Sequence, residues 1–201
     1  MKILVLIIVI SCQFQVVSAQ NAWGPKNDTN RVWTNLDSAI AHPLEVVSLD
    51  LSKSKLTEFP KEIFQFKNLE VLNLGRNKIE SVPGELNQLQ FLRILVLERN
   101  KIYSFPIAVC SMPNLEQLIM NRNQVVTIPA CIQFAEQLQY LDLWSNQVEN
   151  VPDEIAKLKH LKEFDLRGLT YAPEFNARIK GLLPQAEVRM EPPCDCMSGE
   201  K

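Results

Sequence analysis

Four stretches of this chain repeat a single line. Leu69, Leu72, Leu74, Asn77 and Ile79 have counterparts in stretches beginning at Leu92, Leu115 and Leu138, each start 23 residues after the last. A fixed period of this length is the mark of a solenoid, in which no unit buries its apolar face alone and each needs its neighbour. Leu72 and Leu74 alternate with their neighbours, as in a short strand with one face buried. Later in each unit an apolar residue precedes Pro, at Phe59-Pro60, Val82-Pro83, Phe105-Pro106, Ile128-Pro129 and Val151-Pro152. Apolar side chains three and six places beyond that Pro, such as Ile63 and Phe66, fit a helical turn. Pro suits the first position of such a turn, because the N–H it lacks would go unbonded there.

The pattern L-x-x-L-x-L-x-x-N-x-L resembles the leucine-rich repeat family, in its 23-residue form with Pro and Leu in the second half. The resemblance implies an α/β solenoid: a right-handed coil with a parallel concave β-sheet and short helical or 3₁₀ turns on the convex side. It also implies a helical N-terminal cap and a helix–strand C-terminal cap. It covers residues 46–169 as five full repeats and one partial repeat. Ser54 and Leu169 stand where the other repeats have Asn. In the family that Asn, here Asn77, Asn100, Asn123 and Asn146, forms an internal spine that bonds the backbone of neighbouring turns. Buried backbone at a sharp corner must find such partners.

The flanks follow from the same logic. Residues 20–45 form an N-terminal segment ending in a capping helix near Trp33–Ala41, with Thr34 as its cap and Asp37 closing a capping box. Trp33 covers the open end of the core. Residues 170–191 form a C-terminal cap with Phe175 and Ile179 at helical spacing and Glu187–Met190 as a last edge strand. Residues 192–201 are a tail containing Cys194 and Cys196.

Residues 1–19 have the form of a signal peptide: Lys2, an apolar run from Ile3 to Ile10, and small residues ending at Ala19. The run is too short for a bilayer span, so no transmembrane segment is expected. A lipid anchor on Cys12 is the competing reading, opposed by the apolar Phe14, Val16 and Val17 after it. Export implies a secreted or cell-envelope protein, periplasmic or extracellular, in an oxidising environment. Asn27-Asp28-Thr29 is a glycosylation sequon. The formal charge of −2 offers no basic excess for nucleic acid. No cysteine pair has C-x-x-C spacing and His42 and His160 lie far away, so neither a metal nor a cofactor is expected. No catalytic motif appears either, and the chain is read as a binding protein and not an enzyme.

Specificity must then lie in the letters that vary between repeats. Facing out of the concave sheet, Val71, Ile94, Val96, Ile119, Tyr140 and Trp144 form an apolar streak across a face of roughly 25–30 Å. Strand propensity accounts for Val96 and Ile119 but poorly for Trp144, and such a patch framed by charge marks an interaction surface for a protein or peptide. Beside it Arg76, Arg99 and Arg122 form a column suited to acidic groups. Their mutual repulsion calls for compensation, from Glu98 or from Glu70 and Glu116. Asp142 and Asp165 sit on adjacent strands, where they are placed to share a proton or a cation. Cys110 follows the buried Val109 and Cys131 precedes the buried Ile132. On a right-handed coil these two face each other between repeats three and four, which predicts a disulfide. Two other functions remain open: a thiol-active or disulfide-linked envelope protein using Cys194 and Cys196, and a glycan-binding adhesion module using Trp144 and Tyr140.

Overall fold

A computed structural model describes residues 31–192. The leader with Cys12, the Asn27 sequon and the Cys194–Cys196 pair lie outside the described residues. Eight short strands form one parallel sheet in chain order: β1 (Val32–Trp33), β2 (Ser48–Asp50), β3 (Val71–Asn73), β4 (Ile94–Val96), β5 (Gln117–Ile119), β6 (Tyr140–Asp142), β7 (Glu163–Asp165) and β8 (Glu187–Arg189). The register repeats without slip, so that Leu49, Leu72, Leu95, Leu118, Leu141 and Phe164 pair in sequence. One-residue slippage would carry every leucine to the wrong face. On the convex side the 3₁₀ turns Lys61–Gln65, Gly84–Gln88, Ile107–Ser111, Ala130–Phe134 and Asp153–Lys157 each follow directly on a Pro. Their Ile63, Leu86, Val109, Ile132 and Ile155 are fully buried against the leucines of the sheet.

The Asn of each repeat ties two repeats together. Asn100 Nδ2 donates to the carbonyls of Leu74 and Leu97, both at 3.0 Å, while its Oδ1 accepts from the Ile79 N–H at 3.0 Å. Asn77, Asn123 and Asn146 make the same three bonds in their own repeats. Each shared carbonyl therefore accepts from two amides. The result is an unbroken zigzag from Leu51 O to Leu143 O.

The ends are closed differently. At the N-terminus Val32 and Trp33 pair with Ser48 and Leu49 as β1. The chain is therefore still extended at Thr34, and helix α1 (Leu36–Ile40) is capped by Asn35, whose Oδ1 accepts from the Ser38 N–H at 2.9 Å. This corrects the expected cap at Thr34: joining the sheet delays the helix by a residue. Trp33 is 3% exposed, with the Arg31 guanidinium 3.6 Å from its ring centroid and His42 beyond. At the C-terminus helix α2 (Pro173–Leu182) buries Ile179 and leads into β8, which pairs with β7. No helix among the described residues is long and apolar enough to cross a membrane.

Cys110 and Cys131 are joined in a disulfide with Cα atoms 5.5 Å apart. It links the 3₁₀ turns of repeats three and four.

Two outcomes follow. Asn100→Ala leaves the buried Ile79 N–H without its acceptor and takes one of two donors from the Leu74 and Leu97 carbonyls, and should cost about 2 kcal/mol in denaturant unfolding. An undiminished midpoint would show that the zigzag contributes nothing. Changing Cys110 and Cys131 together to Ser should lower stability by about 2–4 kcal/mol, since the bridge constrains the unfolded chain. In wild type the two Cys-containing peptides should separate only after reduction, as read by mass spectrometry.

Candidate recognition surface on the concave sheet

On the open face of the sheet two side chains per strand point away from the core. In the column bounded by Asp50 and Asp165, four residues serve their own backbone. The side-chain oxygens of Asp50, Asn73, Asp142 and Asp165 accept from the N–H two residues on, at 2.8–3.0 Å. Such bonds close a tight turn, which is the physical reason for Asp or Asn there. Val96 and Ile119 forgo that bond. Together with Val71 and Ile94 they form a second apolar cluster, separate from the main core, against which Tyr140 packs.

Trp144 is not part of that cluster, and the cluster differs from a wet surface in one respect. Val71, Ile94, Val96 and Ile119 are only 0–4% exposed. Branched side chains on strands about 4.8 Å apart close flush against one another, leaving the half-buried Tyr140 and Trp144 and the arginines to meet solvent. The cluster is bounded along the strand by Glu70, Arg93 and Glu116. Arg93 donates to both oxygens of Glu116, at 2.8 and 2.9 Å, and lies 3.5 Å from Glu70. The bond to Glu116 chiefly holds its pKa above the usual guanidinium value. Glu70 and Glu116, which their sequence positions had offered to the arginine column, thus pair with Arg93. The sequence did contain the signal for Arg93: Glu, Arg and Glu at one register, alternating in sign.

Of the column itself, Arg76 pairs with Glu98 at 3.2 Å. The Arg122 guanidinium lies 4.5 Å from the Trp144 ring centroid, and that of Arg167 lies 6.0 Å away. These cation–π contacts set the indole beside two guanidinium groups. Arg99, between its two neighbours, is exposed.

Asp142 and Asp165 are adjacent in register, yet each has its own donor. Asn121 Nδ2 reaches Asp142 at 2.6 Å, and Arg167 binds both oxygens of Asp165. Among the described residues no cluster of His, Cys, Asp and Glu has a metal-holding arrangement. Burial raises the pKa of Asp142, against the bonds from Asn121 and the Trp144 N–H. Burial, then the charge of Asp142, also pushes the Tyr140 hydroxyl up.

Because Asp142 holds a proton more readily folded than unfolded, its contribution to stability is full below the ordinary carboxylate range. It is lost as pH rises through the raised value. Asn73 already occupies the same place in repeat two, so Asp142→Asn keeps the turn bond. The variant should be more stable than wild type at neutral pH, and the gain should vanish in acid. Denaturant titrations across a pH series measure this; equal stability at every pH would show that burial exacts no cost.

The model of the leucine-rich repeat region matches residues 44–167. No curated protein matches the chain at the sequence level. Among solved structures, a leucine-rich repeat protein of Leptospira interrogans is 28% identical, with a TM-score of 0.65 over 81% of this chain and 48% of its own. The leucine-rich repeat ectodomain of the plant receptor kinase GASSHO1/SCHENGEN3 from Arabidopsis thaliana, in complex with Casparian strip integrity factor 2, is 25% identical. Its TM-score is 0.63 over 79% of this chain and 20% of that one. The functional domain of InlJ from Listeria monocytogenes, described as including a cysteine ladder, shares the fold at 23% identity, with a TM-score of 0.59 over 77% and 31%. The chain thus spans less than half the length of each of these structures. With its repeat, its Asn zigzag and this match over most of its length, the chain belongs to the leucine-rich repeat family.

Proposed function

We propose that this chain is a non-enzymatic, exported recognition module that receives a protein or peptide ligand on its concave sheet. One observation carries the reading. At Val96 and Ile119 the sequence gives up the Asp or Asn that closes the turn elsewhere. In return it gains a closed apolar cluster with Val71 and Ile94, against which Tyr140 packs. That cluster is nearly closed to solvent and supports the partly exposed Tyr140, the part of the apolar face that a ligand can meet. Tyr140 and Trp144 are the anchors of the proposed interface, being large, partly exposed and held in place by packing and by Arg122. Arg76, Arg99 and Arg122 adjust its charge.

The Arabidopsis ectodomain, solved with a bound factor, supports ligand capture by a scaffold of this kind. The Cys110–Cys131 bridge supports an oxidising destination and so a signal peptide in residues 1–19. In the same reading residues 20–45 and 170–191 close the two ends of the coil.

Immobilised wild-type protein and Trp144→Ala, offered the native extracellular medium, test the proposal. Loss of an interface anchor of this type is worth about 2 kcal/mol, roughly a thirtyfold drop in capture. Phe134→Ser, on the exposed convex side, should capture as wild type does. Equal capture of every partner by Trp144→Ala would dismiss the concave face.

A further inference from the structure

Lys53, before Ser54 in the first repeat, has a left-handed backbone with φ 58°, and the residue before each spine Asn matches it, with φ 58° at Arg76, 52° at Arg99, 57° at Arg122 and 56° at Ser145. This geometry turns each N–H toward the next repeat, where it donates at 2.7–3.0 Å to the carbonyls of Gly75, Glu98, Asn121, Trp144 and Arg167 respectively. Left-handed backbone favours Gly, Asn or Asp and costs other residues roughly 1 kcal/mol. Lys and Arg therefore occupy four successive rungs against the local preference. The residue after each spine Asn continues the pattern, with Lys78 and Lys101, while Lys55 follows Ser54 in the first repeat.

These two columns place seven cations on one edge of the first four repeats, in a chain whose formal charge is −2. Two ion pairs reach them: Arg76 with Glu98, and Lys101 with Glu80 at 4.0 Å. Among the described residues Lys53, Lys55, Lys78 and Arg99 have no such carboxylate partner. Rungs repeat about every 4.8 Å, within the screening length at physiological salt, so the like charges oppose one another. Neither backbone preference nor internal pairing accounts for the stripe.

We infer that this basic edge docks an acidic segment of a polypeptide, its carboxylates lying across the rungs of Lys53, Arg76, Arg99 and Arg122. The inference rests on the concave-sheet reading for what lies alongside: the Val96–Ile119 cluster with Tyr140 packed against it, and Trp144 beside Arg122. A polypeptide supplies both carboxylates for the edge and apolar side chains for Tyr140 and Trp144. A sulfated glycan supplies anions alone. Further along, Arg167 and Arg189 are already paired with Asp165 and Glu163, so the docked acids belong to the first four repeats.

The test uses the full exported chain and fluorescently labelled poly-L-glutamate, with heparin as the sulfated-glycan probe. A single variant combines Arg76→Asn, Arg99→Asn, Lys78→Gln and Lys101→Gln. Asn tolerates the left-handed backbone, and Gln124 and Gln147 already fill the Lys positions in repeats four and five. The variant should melt at the wild-type temperature or above. Wild type should bind poly-L-glutamate at least about tenfold more weakly at about 500 mM salt than at about 50 mM. At low salt the variant should bind at least about tenfold more weakly than wild type. Equal binding by wild type and a folded variant, or binding indifferent to salt, would overturn the inference. So would binding of heparin without poly-L-glutamate, which would make the edge a glycan site. If poly-L-glutamate fails while Trp144→Ala still loses its captured partner, the concave reading stands and the basic edge alone falls.

Discussion

The stack depends on one side-chain amide used four times. Each spine Asn satisfies its own turn and the turn before it, so no repeat completes its polar bonds in isolation. Hydrophobic burial drives the leucines together and forbids a one-residue slip, which would turn them to the wrong face. The amides reinforce that register, because a displaced repeat would leave carbonyls buried without donors. The zigzag ends where Ser54 and Leu169 replace Asn, and there α1 and α2 take over.

That division of labour separates scaffold from recognition along each strand. Leucine and Asn answer to the core. The Asp or Asn between the leucines answers to its own turn, as does the left-handed residue further on. Val96 and Ile119 depart from that rule and answer to a second apolar cluster, while Arg76 and Arg99 hold a left-handed backbone that local preference would give to Gly, Asn or Asp. Charge is then distributed in opposite senses: cations on the edge of the early repeats, buried carboxylates on the floor of the later ones. The concave face therefore has a direction as well as a shape.

Periodicity made the solenoid, the strand positions and the Cys110–Cys131 pairing legible in the sequence, because a fixed 23-residue register converts sequence offsets into neighbours in space. The concave apolar residues were found by the same device, but their exposure was not. Offsets say which way a side chain points, and close packing decides how much solvent it meets. Of the acids offered to the arginine column, Glu98 does pair with Arg76, whereas Glu70 and Glu116 pair with Arg93. Glu70 and Glu116 share a register with Arg93, one place from the leucine, and an ion pair forms with whichever cation stands at that place. At the N-terminus the repeat had not yet begun, so nothing in the period announced that Val32 and Trp33 would join the sheet and move the helix cap to Asn35.

Finally, the bridge between Cys110 and Cys131 changes how the coil answers a pull on its ends. Repeats joined only by noncovalent contacts would peel in turn, each releasing its whole contour. With the sulfurs joined, tension passes from one turn to the next through the bond and bypasses the chain between them. A separation of 21 residues is hidden in this way, about 70 Å of extended length. A tethered oxidised chain is therefore shorter at full stretch than a reduced one, and its middle repeats stay linked after their neighbours have parted.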